Sequence, residues 1–215
     1  MLGNVTLALL DGLATTFQIF IFTLIFSLPL GLILAFGSLS KWRPLRYLIQ
    51  ILVWIIRGTP LMLQLMVVYF GPFYLFGMNI GKWRFPAIIT GCALNYGAYF
   101  AEIYRSGIVS MDRGQYEAAK LLGYSKGQTF VRIILPQVVK RILPAITNEV
   151  ITLVKDTSLA NVIAVGELFR AAKNESSRTA SVEPLFVAGL FYLLMNGVVT
   201  LFFSYLNRRF AYYKD

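Results

Sequence analysis

The sequence contains no histidine and a single cysteine among its 215 residues, and charged residues make up only 14% of it. Cys92 lies within an apolar run, so the chain alone provides neither a disulfide framework nor the ligands that zinc prefers. A Ser-His-Asp triad and a Cys-His pair are excluded for the same reason. We therefore expect no catalytic residues and no metal site in this chain.

Hydrophobic residues make up 57% of the sequence, and the mean hydropathy is +0.66. Four stretches lack Asp, Glu, Lys and Arg, and they cover 12–40, 58–81, 85–101 and 184–207. Each is near or above the roughly 20 residues that cross a bilayer as a helix. The apolar runs do not alternate with polar residues, which favours helices over the strands of an outer-membrane barrel. The sequence predicts an all-α membrane protein that forms one domain over 1–215.

About five transmembrane helices are expected. Four are predicted at about 12–38, 45–70, 85–108 and 184–206, and a basic turn, Lys41 to Arg46, separates the first two. The first apolar run has no basic residues before it and no cleavage site, so it is predicted to be a retained span and not a signal peptide. The remaining apolar run, 142–154, is too short to cross at about 20 Å, and a weakly polar piece at 159–169 follows it. A short helix followed by a broken segment is how transporters place polar groups near the midplane.

The basic residues predict the orientation of these segments. With the N-terminus outside, 13 basic residues lie on the inner side and 6 on the outer side. The inner set is Lys41, Arg43, Arg46, Arg105, Arg113, Lys120, Lys126, Arg132, Lys140, Arg141, Arg208, Arg209 and Lys214, and the outer set is Lys82, Arg84, Lys155, Arg170, Lys173 and Arg178. The positive-inside rule therefore favours an N-out, C-in protein whose long loop, about 105–141, is cytoplasmic.

This loop contains a spaced motif. Residues 115–123, QYEAAKLLG, are predicted to form a short helix with an acidic residue in an early turn and a glycine as its stop. From the EAA triplet onward the pattern is EAA, three residues, Gly, nine residues, Ile, one residue, Leu-Pro. An EAA triplet alone is common in amphipathic helices, but the whole spaced pattern resembles the cytoplasmic loop of ABC importer permeases. The resemblance implies that ATPase coupling involves Glu117, Ala118, Ala119, Gly123, Leu135 and Pro136.

Four other segments resemble the polar amino acid branch of these permeases, which carries histidine, glutamine or arginine. They are RGTP at 57–60, AEIYRSG at 101–107, LPA at 143–145 and KDTSL at 155–159. The resemblance implies a type I (MetI-like) permease fold with a cytoplasmic coupling helix, in a multi-pass protein of the bacterial cytoplasmic membrane. It also implies a homodimer or heterodimer of permease subunits, two ATP-binding subunits and an extracellular or periplasmic amino-acid-binding protein as partners. Nucleic acid is not expected as a partner.

The chain contains no phosphate-binding loop of its own. Gly81-Lys82 is followed by Trp83, and no glycine-rich stretch precedes it. We therefore expect no cofactor in this chain, which is not predicted to be an enzyme, and we expect ATP and Mg to bind the partner ATPase.

Two acids are predicted to contact the substrate, because ionisable residues at membrane depth are costly. Glu149 and Asp156 are seven residues apart, which places both on one face of a helix that continues to Asp156, with Thr152 between them. They can hold a cationic side chain or an α-ammonium group. The alternative is that Lys155 or an arginine neutralises them in a structural pair.

Four more residues are candidates for the same cavity. Arg57 can meet a substrate carboxylate, although a structural role beside a helix distortion is preferred for it. Gln64, Asn95 and Tyr96 can line the pathway, or they can form only the hydrogen bonds between helices that are common in membrane proteins. Glu102 and Arg105 are predicted to be an intrahelical ion pair.

Two acids favour a basic amino acid, such as arginine, lysine or histidine, as the substrate. Glutamine or another polar amino acid is the alternative within the same family. An ATP-independent secondary transporter is the alternative of a different class, but it does not explain the EAA loop. An enzyme embedded in the membrane is a third and weaker alternative.

Overall fold

The computed structural model describes residues 2–210, and within that range it contains helices and no strand. The predicted all-α architecture is therefore confirmed. Lys214, which was counted among the inner basic residues, lies outside the described residues. The helices are α1 (Leu2–Ser38), α2 (Arg43–Arg57), α3 (Leu61–Phe76), α4 (Arg84–Val109), α5 (Arg113–Leu121), α6 (Lys126–Thr129), a π-helical turn (Phe130–Ile134), α7 (Leu135–Asp156), a 3-10 helix (Thr157–Ile163), α8 (Leu168–Thr179) and α9 (Glu183–Phe210).

Helix α4 is the centre of the structure, and α1, α2, α3 and α7 pack around it. Its approach to α1 is close because glycines lie at the contact. A Cβ atom added to Gly31 would lie 2.7 Å from the Cβ of Phe100 and 3.1 Å from the backbone nitrogen of Ala101. On the other side of the contact, a Cβ atom added to Gly97 would lie 2.8 Å from Leu30 Cδ2. Small residues at such contacts let helix backbones approach closely in membranes, where van der Waals packing holds helices together.

The prediction of one continuous helix over 45–70 is wrong. The chain forms two helices, α2 and α3, which are bent by 106° relative to each other. Gly58 ends α2, and Pro60 precedes α3; proline has no backbone N–H and keeps the residue before it out of the helical conformation. The predicted basic turn is also shorter, because α2 begins at Arg43 and already contains Arg46.

The fourth apolar segment is also longer than predicted. Helix α7 has 22 residues and a length of about 33 Å, which is enough to cross a bilayer, whereas the apolar run alone has 13 residues. The helix begins inside the predicted cytoplasmic loop and continues to Asp156. The weakly polar piece at 159–169 becomes the rest of the 3-10 helix, a turn through left-handed Ala164 and the start of α8.

Two of the other predicted helices have nearly the predicted ends, and the first helix is longer than predicted. Helix α4 matches the predicted 85–108, and α9 extends the predicted 184–206 by a few residues. Helix α1 begins ten residues before the predicted 12, because the exposed Asp11 does not end the helix.

Two described helices, α1 and α9, are long and apolar enough to cross a membrane by length and composition alone, and α2 with α3 forms a third span if the bent pair counts as one. Helices α4 and α7 have 26 and 22 residues, so they are long enough to cross a membrane. Their sequences are less apolar than those of α1 and α9, and composition alone does not identify them as spans. Helix α4 packs against four others and half of its residues are buried, so its sequence need not be apolar throughout. The number of spans and the orientation stay predictions.

The close contact between α1 and α4 at Gly31 can be tested by a substitution that adds one methyl group. We expect Gly31→Ala to destabilise the protein by about 2 kcal/mol, because backbone atoms must move to admit the Cβ. This lowers the Tm of the detergent-solubilised protein by about 6 °C. Gly189→Ala in α9 is the matched control, since its added Cβ has open space around it. Equal Tm values for the two variants would contradict the close contact.

Candidate functional site

The two predicted acids lie on one helix face, as the sequence requires. Helix α7 continues through Asp156, so Glu149 and Asp156 are separated by two turns and a rise of about 10 Å. Both side chains are half-buried. Thr152 lies between them on an exposed part of the helix, and its hydroxyl donates to the Asn148 carbonyl at 2.9 Å. The structure thus brings the three predicted residues of α7 together.

Asp156 is held by the central helix. The Tyr96 hydroxyl donates to Asp156 Oδ2 at 2.8 Å, and Tyr96 itself is only 2% exposed. Contact ion pairs of the described residues include Glu102–Arg105 and Glu175–Arg178.

The predicted amides lie at the break between α2 and α3. The Asn95 amide donates to Gln64 Oε1 at 3.0 Å. The Gln64 amide donates to the Ile56 carbonyl at 2.7 Å and to Thr59 Oγ1 at 2.8 Å. Carbonyls at a helix C-terminus have no partner within the helix, so Gln64 provides one at the end of α2. In this structure Gln64 and Asn95 therefore join the break to α4.

Arg57 faces α4. Its guanidinium lies 5.2 Å from the centre of the Tyr99 ring, a distance at which cation–π attraction acts. It also lines a cavity of about 300 Å³ between α2 and α4. The predicted intrahelical pair lies in the wall of this cavity, with Arg105 Nε donating to Glu102 Oε2 at 2.9 Å, and is confirmed.

A buried acid, Glu167, was not among the predicted site residues. It is 0% exposed and its carboxylate accepts hydrogen bonds from the backbone N–H groups of Phe169 at 2.6 Å and Arg170 at 2.7 Å, which begin α8. The Tyr192 hydroxyl of α9 donates to it at 3.0 Å. The neighbouring Leu168 N–H donates to Thr16 Oγ1 of α1 at 3.0 Å. Glu167 therefore fastens α8 between α1 and α9. A glutamate is not a preferred N-cap residue, so the local sequence contained no clear signal for this contact.

The loop predicted to be cytoplasmic contains α5. This helix begins two residues before the predicted segment, so Glu117 lies in its second turn, and the first turn is capped by Asp112, which accepts from the Gly114 N–H at 2.7 Å. Gly123 has φ +80°, a left-handed conformation that a Cβ would strain, which confirms it as the point where the chain turns. Ala119 is buried, whereas Glu117 and Ala118 are exposed.

Helix α5 is attached to the base of α7. Leu135 and Pro136 begin α7 directly after the π-helical turn, and the next residue, Gln137, forms a reciprocal pair of amide hydrogen bonds with Gln115 of α5 at 3.0 and 2.8 Å. Arg141 Nη1 also donates to the Ser110 carbonyl at the end of α4, at 2.8 Å. Helix α5 is thereby joined to the helix that carries Glu149 and Asp156.

Comparison with known proteins identifies relatives over most of the chain. The family described as "binding-protein-dependent transport system inner membrane component" matches residues 27–212. The arginine transport system permease protein ArtQ of Bacillus subtilis is 40% identical over 89% of this chain and 87% of its own length. The L-cystine permease protein TcyB of the same organism is 42% identical over 78% and 70%, and a putative glutamine permease protein GlnP of Rickettsia felis is 35% identical over 88% and 86%.

Solved structures have the same fold. A crystal structure of an amino acid ABC transporter with histidines superposes with a TM-score of 0.88 and 33% identity, over 97% of this chain and 96% of that chain. The inward-facing MetNI methionine ABC transporter superposes with a TM-score of 0.70 over 94% of both chains, at 17% identity. The predicted type I (MetI-like) fold is confirmed.

The contact between Glu167 and α8 predicts a clear effect on stability. We expect Glu167→Ala to lower the Tm by about 6 °C, because the cap of α8 is lost and buried donors are left without an acceptor, at a cost of about 2 kcal/mol. Glu167→Gln keeps an acceptor and should lose less. The control is Asn174→Ala, which truncates an exposed polar side chain of the same helix. A Glu167→Ala protein as stable as the control would show that the carboxylate does not fasten α8.

Proposed function

We propose that this chain, which belongs to the family of binding-protein-dependent transport system inner membrane components, imports a basic amino acid as the permease subunit of an amino acid ABC importer. Arginine, lysine and histidine are the proposed substrates. The observation that carries the proposal is the placement of Glu149 and Asp156 on one face of α7, half-buried and about 10 Å apart.

The charges of these two residues favour a cation. In a partly buried site two carboxylates attract a guanidinium or ammonium group and repel the second carboxylate of glutamate. Thr152 supplies a hydroxyl between them, and Arg57 is the proposed partner of the substrate carboxylate. The permease named for arginine transport supports this substrate class, whereas the relatives named for cystine and glutamine transport support a neutral substrate.

We propose an N-out, C-in arrangement with five spans, α1, α3, α4, α7 and α9, in a bacterial cytoplasmic membrane. Two copies, or this chain and a second permease, enclose the pathway between them. A substrate-binding protein delivers the amino acid to the outer side. The family description, with its binding-protein dependence and inner-membrane component, supports this assembly.

ATP hydrolysis comes from two separate ATP-binding subunits, which hold the nucleotide and Mg. Helix α5 is the proposed docking element, because exposed Glu117 and Ala118 present a short, nearly flat surface and Gly123 turns the chain away at once. Closure of the two ATPases moves the paired α5 helices together. Through the Gln115–Gln137 contact, α7 follows and the acid-bearing face changes its access from one side of the membrane to the other.

The substrate site predicts a selective loss on removal of one charge. In liposomes that contain this chain, its ATPase and its binding protein, we expect arginine or lysine to stimulate ATP hydrolysis. Glu149→Gln should raise the arginine concentration that gives half-maximal stimulation about tenfold or more. A tenfold rise corresponds to a loss of about 1.4 kcal/mol in the free energy of binding. Glu183→Gln, at the outer start of α9, is the matched control and should respond like the native protein.

The outcomes of this experiment separate the alternatives. Stimulation by glutamine or cystine that survives Glu149→Gln would retain the importer and reject the acidic site. If no amino acid stimulates ATP hydrolysis while uptake continues without ATP, the chain is a secondary transporter.

If α5 docks on the ATPase, substitutions in its loop should uncouple ATP hydrolysis from transport. We expect Glu117→Arg and Gly123→Val to reduce ATP-driven uptake at least about tenfold, while the chain still inserts and folds. Gly123→Val acts through its left-handed backbone, which a β-branched residue rarely adopts. Gly127→Val in α6 is the control, because it makes the same change at a glycine with open space around it and without a positive φ. Normal uptake by both loop variants would refute docking through α5.

A further inference from the structure

Helix α2 does not have the geometry of a span. Its 15 residues measure about 22 Å, and its axis is turned by 106° from α3, which follows it. It packs against the last turns of α1, where Ile49 fills the space beside Gly37 and Val53 packs in one cluster with Leu34. If α1 and α3 cross the membrane, α2 therefore lies close to the membrane plane, at the level where α1 ends.

The side chains of α2 form separate stripes along this helix. Arg43, Arg46, Gln50 and Arg57 share one side at helical spacing, and protein contacts bury Val53 next to them. The remaining face is apolar and is not covered by the described part of the chain. It consists of Leu48 at 66% exposure, Ile51 at 55%, Leu52 at 44% and Ile55 at 49%.

Two aromatic residues lie at the edge between these stripes. Tyr47 and Trp54 are seven residues apart, so they share one side of the helix, and they are 55% and 74% exposed. The guanidinium of Arg46 lies 5.4 Å from the centre of the Tyr47 ring. An apolar stripe, an aromatic edge and a basic stripe in this order are typical of a helix that lies in the headgroup region of a bilayer.

We propose that α2 is an in-plane helix of the cytoplasmic leaflet that binds anionic phospholipid headgroups through Lys41, Arg43 and Arg46. Its apolar stripe enters the acyl region, and the three basic residues gather at its N-terminal end, so their charge is complementary to lipid phosphates. The proposal rests on the orientation given under Proposed function, with the end of α1 on the inner side. It adds a lipid partner to the permease, and it explains why a basic, apolar helix precedes the break.

Tryptophan fluorescence can test this contact in the full-length chain. Of the three tryptophans, W42F/W83F leaves Trp54 alone as the reporter. The protein is reconstituted in phosphatidylcholine vesicles that contain an equal fraction of either brominated phosphatidylglycerol or brominated phosphatidylcholine, whose bromine quenches a neighbouring tryptophan. We expect Trp54 to be quenched by both lipids, and the anionic lipid to bind beside it at least about fivefold more strongly.

Two charge variants locate the source of this preference. R43Q/R46Q should bring the ratio of the two binding constants close to one without reducing the quenching by brominated phosphatidylcholine. R208Q/R209Q at the end of α9 removes the same charge from the same predicted membrane side and should leave the ratio unchanged.

Three results would overturn the proposal. Equal quenching by the two lipids in the parent protein would show no selection of anionic headgroups. A ratio that R208Q/R209Q lowers as much as R43Q/R46Q would show a general effect of net charge. An absence of quenching by either lipid would show that protein, such as a second copy of the chain, covers the apolar stripe. Because quenching requires neither ATP nor an amino acid, these results are independent of whether the proposed substrate stimulates the ATPase.

Discussion

The structure depends on the need of every polar group at membrane depth to find a partner inside the protein, because lipid supplies none. Helix α4 meets this need for its neighbours. Asn95 bonds to the amide that covers the end of α2, and the next residue, Tyr96, bonds to the acid at the end of α7. On another side of α4, Gly31 and Gly97 permit close packing against α1.

One helix connects the proposed substrate site to the EAA loop. Helix α7 is one uninterrupted element from Leu135, beside the EAA loop, to Asp156. Its lower end is held to α5 by Gln115 and Gln137, and its upper end is held to α4 by Tyr96. The proposed coupling loop and the proposed substrate acids are therefore connected by one helix.

The break at Gly58–Pro60 gives the preceding segment a second role. By composition, the residues of α2 could be the first part of one long span or a separate helix. The angle of 106° shows two elements, and α2 packs against the end of α1. The proposed lipid contact of α2 would then differ from that of the long apolar helices α1 and α9.

The sequence by itself determined the helical class, the extents of α4 and α9, the Glu102–Arg105 pair and the turn at Gly123, because hydrophobic length, i,i+3 spacing and a glycine stop are local signals. The motif spacing determined the family. Only the tertiary structure decided that α2 and α3 are separate, that α7 begins inside the loop, and that Glu167 is a structural centre. Glu167 accepts from Tyr192 of α9, and the Leu168 N–H beside it donates to Thr16 of α1, so these contacts join helices that are distant in sequence. The Asn95–Gln64 bond likewise joins α4 to the break after α2. Such contacts leave no periodic trace in the chain, because they depend on which helices come to lie side by side.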